Sequence, residues 1–88
     1  MKIAFFDSFT KDLKRINDVS LRQRIERAIE SVELAVTLDQ IPQLKKLKGG
    51  TRHYRIRVGD YRLGILIAGD LVSFKRCLHR SSVYAYFP

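Results

Sequence analysis

Nine residues constrain the fold more than any others. Tyr54-Arg-Ile-Arg-Val58 alternates apolar and charged side chains, Gly59-Asp60 interrupts, and Tyr61-Arg62 resumes the pattern. A period of two is the signature of a strand with one buried face and, here, one arginine face. A two-residue Gly-Asp link between two such runs predicts a tight antiparallel hairpin. Tyr61 to Ala68 is a long apolar run, predicted to be the central strand, and Gly69-Asp70 predicts a second turn into a third strand over Leu71 to Leu78. A meander with one apolar face must bury that face against something, so helices have to cover it.

The first half of the chain supplies them. Lys2-Ile-Ala-Phe-Phe6 reads as a short first strand, after which Asp7 or Ser8 offers a helix N-cap. Phe9, Leu13 and Ile16 mark one face of a short helix, ended by Asn17-Asp18. Ser20-Leu-Arg-Gln23 matches a capping box, predicting a second helix from there. Leu21, Ile25, Ala28, Ile29, Val32 and Val36 form its apolar stripe as far as Thr37. Arg22, Arg24 and Arg27 fall off the stripe beside Glu26, Glu30 and Glu33, and Glu26 and Glu30 are expected to neutralise them locally. The two helices should form an antiparallel hairpin with one shared apolar face. Ile41-Pro42 ends the helical region. Lys45-Lys-Leu-Lys-Gly-Gly50 reads as a basic loop, too short for a phosphate-binding Walker loop. The predicted order is β-α-α-β-β-β: an α+β fold with a helical hairpin packed on a mainly antiparallel twisted sheet, in one domain over residues 1–88.

Charge narrows the function. Residues 1–44 hold seven Lys/Arg and seven Asp/Glu, while residues 45–88 hold ten and two, so the whole net charge of +8 lies in the second half. Such asymmetry points to a polyanion, most often nucleic acid. The single cysteine, Cys77, allows no internal disulfide and reads as a buried apolar residue in a reducing cytosol. The N-terminus has too short an apolar run for a signal peptide, and no stretch approaches a membrane span, so a cytoplasmic protein with no membrane partner is expected. His53 and His79 are the only histidines, and Asp60 and Asp70 sit in turns, so neither a metal nor any other cofactor is expected.

What remains is a cationic and aromatic constellation. Arg55 and Arg57 share a strand face, and Arg62 lies across the hairpin from them. Arg80 and Tyr84 follow the third strand. In a simple meander these five converge on the open side of the sheet. Lys45, Lys46, Lys48 and Arg52 form a rim for RNA, with His53 and His79 counted among its RNA-binding residues. Arginine binds phosphate bidentately and tyrosine gives a base something to stack on.

The segment Tyr54-Arg-Ile-Arg-Val-Gly-Asp-Tyr-Arg62 closely resembles the core motif of the RelE family, within the RelE/ParE toxin superfamily. The pattern SFxKDLKRI from Ser8, LKKLKG from Leu44 and HRxxVY from His79 agree with it, so the resemblance runs from Phe6 to Tyr84. It implies the toxin of a type II toxin–antitoxin system. Such a toxin is a metal-free endoribonuclease that often acts on mRNA in the ribosomal decoding site, restrained by a cognate antitoxin. In such enzymes the 2′-hydroxyl attacks the neighbouring phosphate and leaves a cyclic phosphate. The resemblance assigns proton transfer and phosphate binding to Arg55 and Arg57, phosphorane stabilisation to Arg62, and leaving-group and base contacts to Arg80 and Tyr84. Two departures matter. Some active members carry lysine where this chain has Arg55 and Arg57. Arginine effectively cannot give up its proton, which makes these two residues phosphate clamps and leaves His79, His53 or Tyr84 to supply a base, or electrostatics to dominate. Some members also place the late arginine six residues before the tyrosine, where Leu78 stands here. The alternatives are a ParE-like gyrase inhibitor on the same fold and an RNA-binding module that does not cleave.

Overall fold

The computed structural model describes residues 1–88. The elements run β1 (Lys2–Phe5), α1 (Asp7–Lys14), α2 (Val19–Leu34), a 3-10 turn (Leu38–Gln40), β2 (Leu44–Lys46), β3 (His53–Val58), β4 (Tyr61–Ala68), β5 (Leu71–His79) and α3 (Val83–Tyr86). The five strands form one sheet in the order β1-β5-β4-β3-β2. The meander β3-β4-β5 is antiparallel, β2 adds antiparallel to β3, and β1 adds parallel to β5. The α+β architecture and the mainly antiparallel sheet expected from the sequence are present.

Gly59 takes φ +58 with no positive φ at Asp60, and Gly69 takes φ +61 with none at Asp70. A positive φ at the first central residue alone is what a type II′ hairpin turn requires, and glycine meets it without strain. The two turns fix the length of β4 between them. One face of the sheet carries Ile56, Val58, Leu63, Ile65, Ile67, Val72 and Phe74, all buried, against Phe9, Ile25 and Val32 from the helices. Helix α1 lies against β5, and α2 against β3 and β1.

Four local expectations are corrected. Helix α2 starts at Val19, and its cap is Asp18, whose carboxylate accepts the Leu21 N–H at 3.1 Å, so Ser20 is already inside the helix. The helix ends at Leu34, and Val36, expected on its stripe, is 81% exposed. The basic loop begins as a strand, because Lys45 pairs with Arg55 and Lys46 with Tyr54 along the edge of β3. The segment after β5 forms the short helix α3, whose Val83 joins Phe87 and Leu47 in a second, smaller core.

That second core lies on the face away from α1 and α2. A Cβ on Gly64 would stand 2.7–2.9 Å from the Phe87 ring, so the C-terminal tail crosses directly over β4 where there is no side chain. The sheet face predicted to be open is therefore partly roofed by α3 and the tail.

Candidate active site

Strand parity and the hairpin register decide which cations meet. Arg57 pairs directly with Arg62 across β3 and β4. Arg55, two residues earlier on β3, pairs with Lys45 of β2. All four point to the tail side of the sheet, opposite the helix-covered core. Directly opposed like charges on a strand pair are destabilising. The structure manages this by giving two of the guanidiniums backbone acceptors. Arg62 Nη1 donates to the carbonyls of Gly59 at 2.9 Å and Tyr61 at 3.0 Å. Arg55 Nη1 donates to the Gln43 carbonyl at 2.8 Å, and Gln43 holds φ +61, the one non-glycine residue in the left-handed region. Arg55 Nε is buried without a partner.

Arg80 follows β5 and reaches back to the same turn. Its backbone N–H donates to the Asp60 carbonyl at 2.7 Å, and its side chain lies 3.8 Å from the Asp60 carboxylate in an exposed pair. Such an exposed contact is worth little and leaves Arg80 free to engage an anion. Arg62 sits at the centre of the group. Its pKa is lowered from the ordinary guanidinium value by partial burial first, then by Arg55, with Arg57 and Arg80 adding to the effect and Tyr84 opposing it. It remains a cation in water at any physiological pH. Such a crowded cation gains more than an isolated one when negative charge arrives. Arg57, Arg62 and Arg80 line a groove of about 410 Å³ with no hydrophobic residue on its walls.

Tyr84 stands on α3, 60% exposed, and shares a groove of about 300 Å³ with Lys45, Lys46 and Lys48. The five residues Arg55, Arg57, Arg62, Arg80 and Tyr84 thus surround one stretch of surface. Lys45, Lys46 and Lys48 border it. Arg52 is exposed just before β3.

The two histidines are placed less favourably. His53 shares the parity of Arg55 but packs edge-on against Phe87 at 5.3 Å, and its Nδ1 is buried with no partner. His79 pairs with Tyr61, contacts that ring edge-on at 5.6 Å, and bonds Ser81 through Nδ1 at 2.8 Å. Tyr61 packs on the helix-side core, so His79 faces away from Arg55, Arg57 and Arg62, and lines a separate groove with Arg24, Gly59 and Asp60. The physical cause is an irregularity in β5: Gly64 pairs with Arg76, but Ile65 pairs with Phe74, leaving Lys75 as an extra residue. A bulge of this kind shifts parity by one position. Cys77 and His79 consequently turn to the helix side, while Leu78 turns to the tail side.

One cluster escaped the sequence reading. Arg76 Nε donates to the buried Asp12 carboxylate at 2.8 Å, and the same carboxylate accepts the Cys77 N–H at 3.0 Å. The Arg76 guanidinium also lies 5.5 Å from the Tyr86 ring centre. The bond to Asp12 is the main reason the Arg76 pKa is raised. These contacts tie α1, β5 and α3 together, and so hold the helix that carries Tyr84. Nothing in the spacing of Asp12 and Arg76 signals the pair, because 64 residues separate them. No group of three His, Cys, Asp or Glu side chains is close enough to hold a metal ion. No helix is long and apolar enough to cross a membrane.

Comparison with known proteins places this geometry in context. Residues 3–84 match the family described as ParE toxin of type II toxin–antitoxin systems. The chain is 45% identical to the toxin RelE3 of Methanocaldococcus jannaschii over 89 residues, covering 100% of both. Its fold is similar to a chain of the RelB-RelE antitoxin–toxin complex from Methanococcus jannaschii, with TM-score 0.80, 44% identity, and coverage of 97% of this chain and 99% of that one. It also resembles the YoeB dimer of Staphylococcus aureus, with TM-score 0.73, 23% identity, and coverage of 90% and 95%, a likeness of fold alone.

Proposed function

The chain belongs to the ParE toxin family of type II toxin–antitoxin systems, within the RelE/ParE superfamily, and on that premise we propose that it is a metal-independent endoribonuclease that cleaves mRNA. The observation that carries this reading is the direct Arg57–Arg62 pair, with Arg55, Arg80 and Tyr84 gathered around Arg62. A toxin that acted only by binding a protein would have no need to hold like charges opposite one another.

The proposed chemistry follows from the groups present. A scissile phosphate lies against Arg55 and Arg57, which clamp its non-bridging oxygens. The 2′-oxygen attacks phosphorus as its proton passes to solvent water, a pentavalent phosphorane forms, and the bond to the 5′-oxygen breaks. The departing 5′-oxyanion takes a proton from water, so the products are a 2′,3′-cyclic phosphate and a 5′-hydroxyl. Arg62 meets the charge that builds on the phosphorane, and such preorganised stabilisation is commonly the largest catalytic contribution. Arg80 neutralises the departing oxygen. Tyr84 stacks on a base and supplies the one hydroxyl of the group beside the phosphate, since His79 faces the helices and His53 Nδ1 is buried. Action on the ribosome, in the cytoplasm, with a cognate antitoxin as the restraining partner, belongs to the same proposal. The antitoxin partnership is supported by the solved complexes of relatives with their antitoxins, such as the RelB-RelE pair.

The family match names ParE while the full-length relative is named RelE, so the test must separate the two activities. Expression of the chain without its antitoxin, followed by mapping of mRNA 5′ ends, should show new cuts bearing 5′-hydroxyls. Purified protein should give cyclic-phosphate termini equally well in EDTA. Intact mRNA together with stalled gyrase would overturn the proposal.

A further inference from the structure

The cation cluster does not stop at the sheet. The groove holding Arg57, Arg62 and Arg80 also has Arg24 of α2 and Gln43 in its wall. A second groove, of about 290 Å³, shares Arg24, Gln43 and Arg57 with the first and adds Arg27. The two grooves adjoin at these three shared residues and together form a channel. It leaves the arginine face at the edge of β3, passes Arg57–Val58 where β2 no longer pairs, and continues between β3 and α2. Arg24 bridges the two halves, and its Nη1 would lie 3.0 Å from a Cβ on Gly59, so it crosses directly over the β3-β4 turn.

The acidic residues of α2 form no ion pair with these side chains. The chain has two ion pairs, Arg76–Asp12 and Arg80–Asp60, and neither involves α2. Glu26 and Glu30, expected to act on the arginines near them, make no close ion pair with Arg24 or Arg27. Arg24 and Arg27 lie three residues apart on one helix face, and Arg22 lines neither groove.

We infer that this channel is a subsite for the RNA backbone, in which Arg24 and Arg27 of α2 hold phosphates flanking the scissile one. The inference rests on the ribonuclease reading and assigns the path of the strand on one side of the cleavage point. A polyanionic strand fits better than an isolated anion, because the cations form a connected row from Arg80 to Arg27 with no acidic side chain but the exposed Asp60 along it. Contacts to flanking phosphates fix register and add affinity without contributing to the chemical step.

The test compares Arg27→Gln and Arg24→Gln/Arg27→Gln with Arg22→Gln, which removes the same charge from the same helix outside the channel. Binding is measured by fluorescence anisotropy on a single-stranded oligonucleotide of about ten units carrying 2′-deoxyribose, which cannot be cleaved by 2′-attack. Arg27→Gln should reduce the salt slope of binding by about 0.7 and the double variant by about 1.4, and the double variant should weaken binding roughly tenfold, while Arg22→Gln stays near wild type. On cleavable RNA the pair should raise KM with little change in kcat. The effect should vanish on a dinucleotide, which has no flanking phosphate. Equal behaviour of Arg27→Gln and Arg22→Gln would overturn the subsite while leaving the ribonuclease reading intact. Unchanged RNA binding with weakened capture of the cognate antitoxin would overturn it in favour of a protein surface. Wild-type binding without any cleavage, still dependent on Arg24 and Arg27, would sustain the channel and remove the nuclease.

Discussion

The two faces of the sheet are built on opposite principles. The helix side buries a continuous cluster of 14 residues that includes Phe9, Ile25, Val32, Ile65 and Phe74, and its main polar intruder, Asp12, accepts three hydrogen bonds, two from Arg76 and one from the Cys77 N–H. The tail side buries three, Leu47, Val83 and Phe87, and carries Arg55, Arg57 and Arg62 next to them. Both buried polar atoms without partners, His53 Nδ1 and Arg55 Nε, belong to residues of the tail side. Unpaired buried groups and opposed charges are destabilising. The first face therefore supplies the stability that lets the second hold an arrangement unfavourable without its anion.

The sharpest break of this contrast is Phe74→Ala, which removes a fully buried ring from the helix-side core. The expected loss is about 3–5 kcal/mol, comparable to the whole stability of so small a domain. Thermal melting should show it largely unfolded. Ile25→Ala should cost about 2–5 kcal/mol, since Ile25 is 0% exposed. Ile29, on the same stripe but only partly buried, should cost less when truncated; equal costs would contradict the helix register. On the tail side, Phe87→Ala should cost about 3 kcal/mol, the low end for a buried ring, because its cluster is small. It should also lower cleavage by releasing α3 and Tyr84, so activity should fall at temperatures where the fold persists. A loss of stability with full activity would show that the tail does not position the site.

A smaller effect concerns Cys77. Burial pushes its thiol up to about 12 from 9.0. The folded state thus holds its proton more tightly than the unfolded chain. The stability this contributes is complete below the unfolded value and is lost as pH rises from there toward the folded one. Cys77→Ala should flatten that part of the alkaline stability profile. Native Cys77 should resist alkylation at neutral pH and react once unfolded; rapid alkylation of the folded protein would contradict its burial.

What could be read from the sequence follows from how local the signals are. β4 matched residue for residue because both its ends are set by Gly-Asp turns, and turn chemistry is a local property. The arginine face was legible because parity holds across an unbroken hairpin. His79 was misplaced because the extra residue at Lys75 reverses parity halfway along β5, and no residue type marks that position. β2 was hidden because Lys45, Lys46 and Lys48 mask a strand that exists only through pairing with β3. Asp18 read as a breaker when it is a cap, since Ser20 and Gln23 imitate a capping box two residues later. The Arg24–Arg27 channel lies between elements far apart in the chain, so periodicity on α2 could show only that these side chains avoid the core.

The central claim is that the tail-side arginines act on a phosphate in its transition state, with Arg62 foremost. The most direct measurement is single-turnover cleavage by Arg62→Ala, paired with its affinity for uncleavable RNA and its melting temperature. The account predicts a cleavage step slower by about 10²–10³-fold, the usual scale for one oxyanion stabiliser, with much smaller changes in affinity and melting. A variant that cleaves at the wild-type rate, or one whose loss is matched by its loss of RNA affinity, would contradict it.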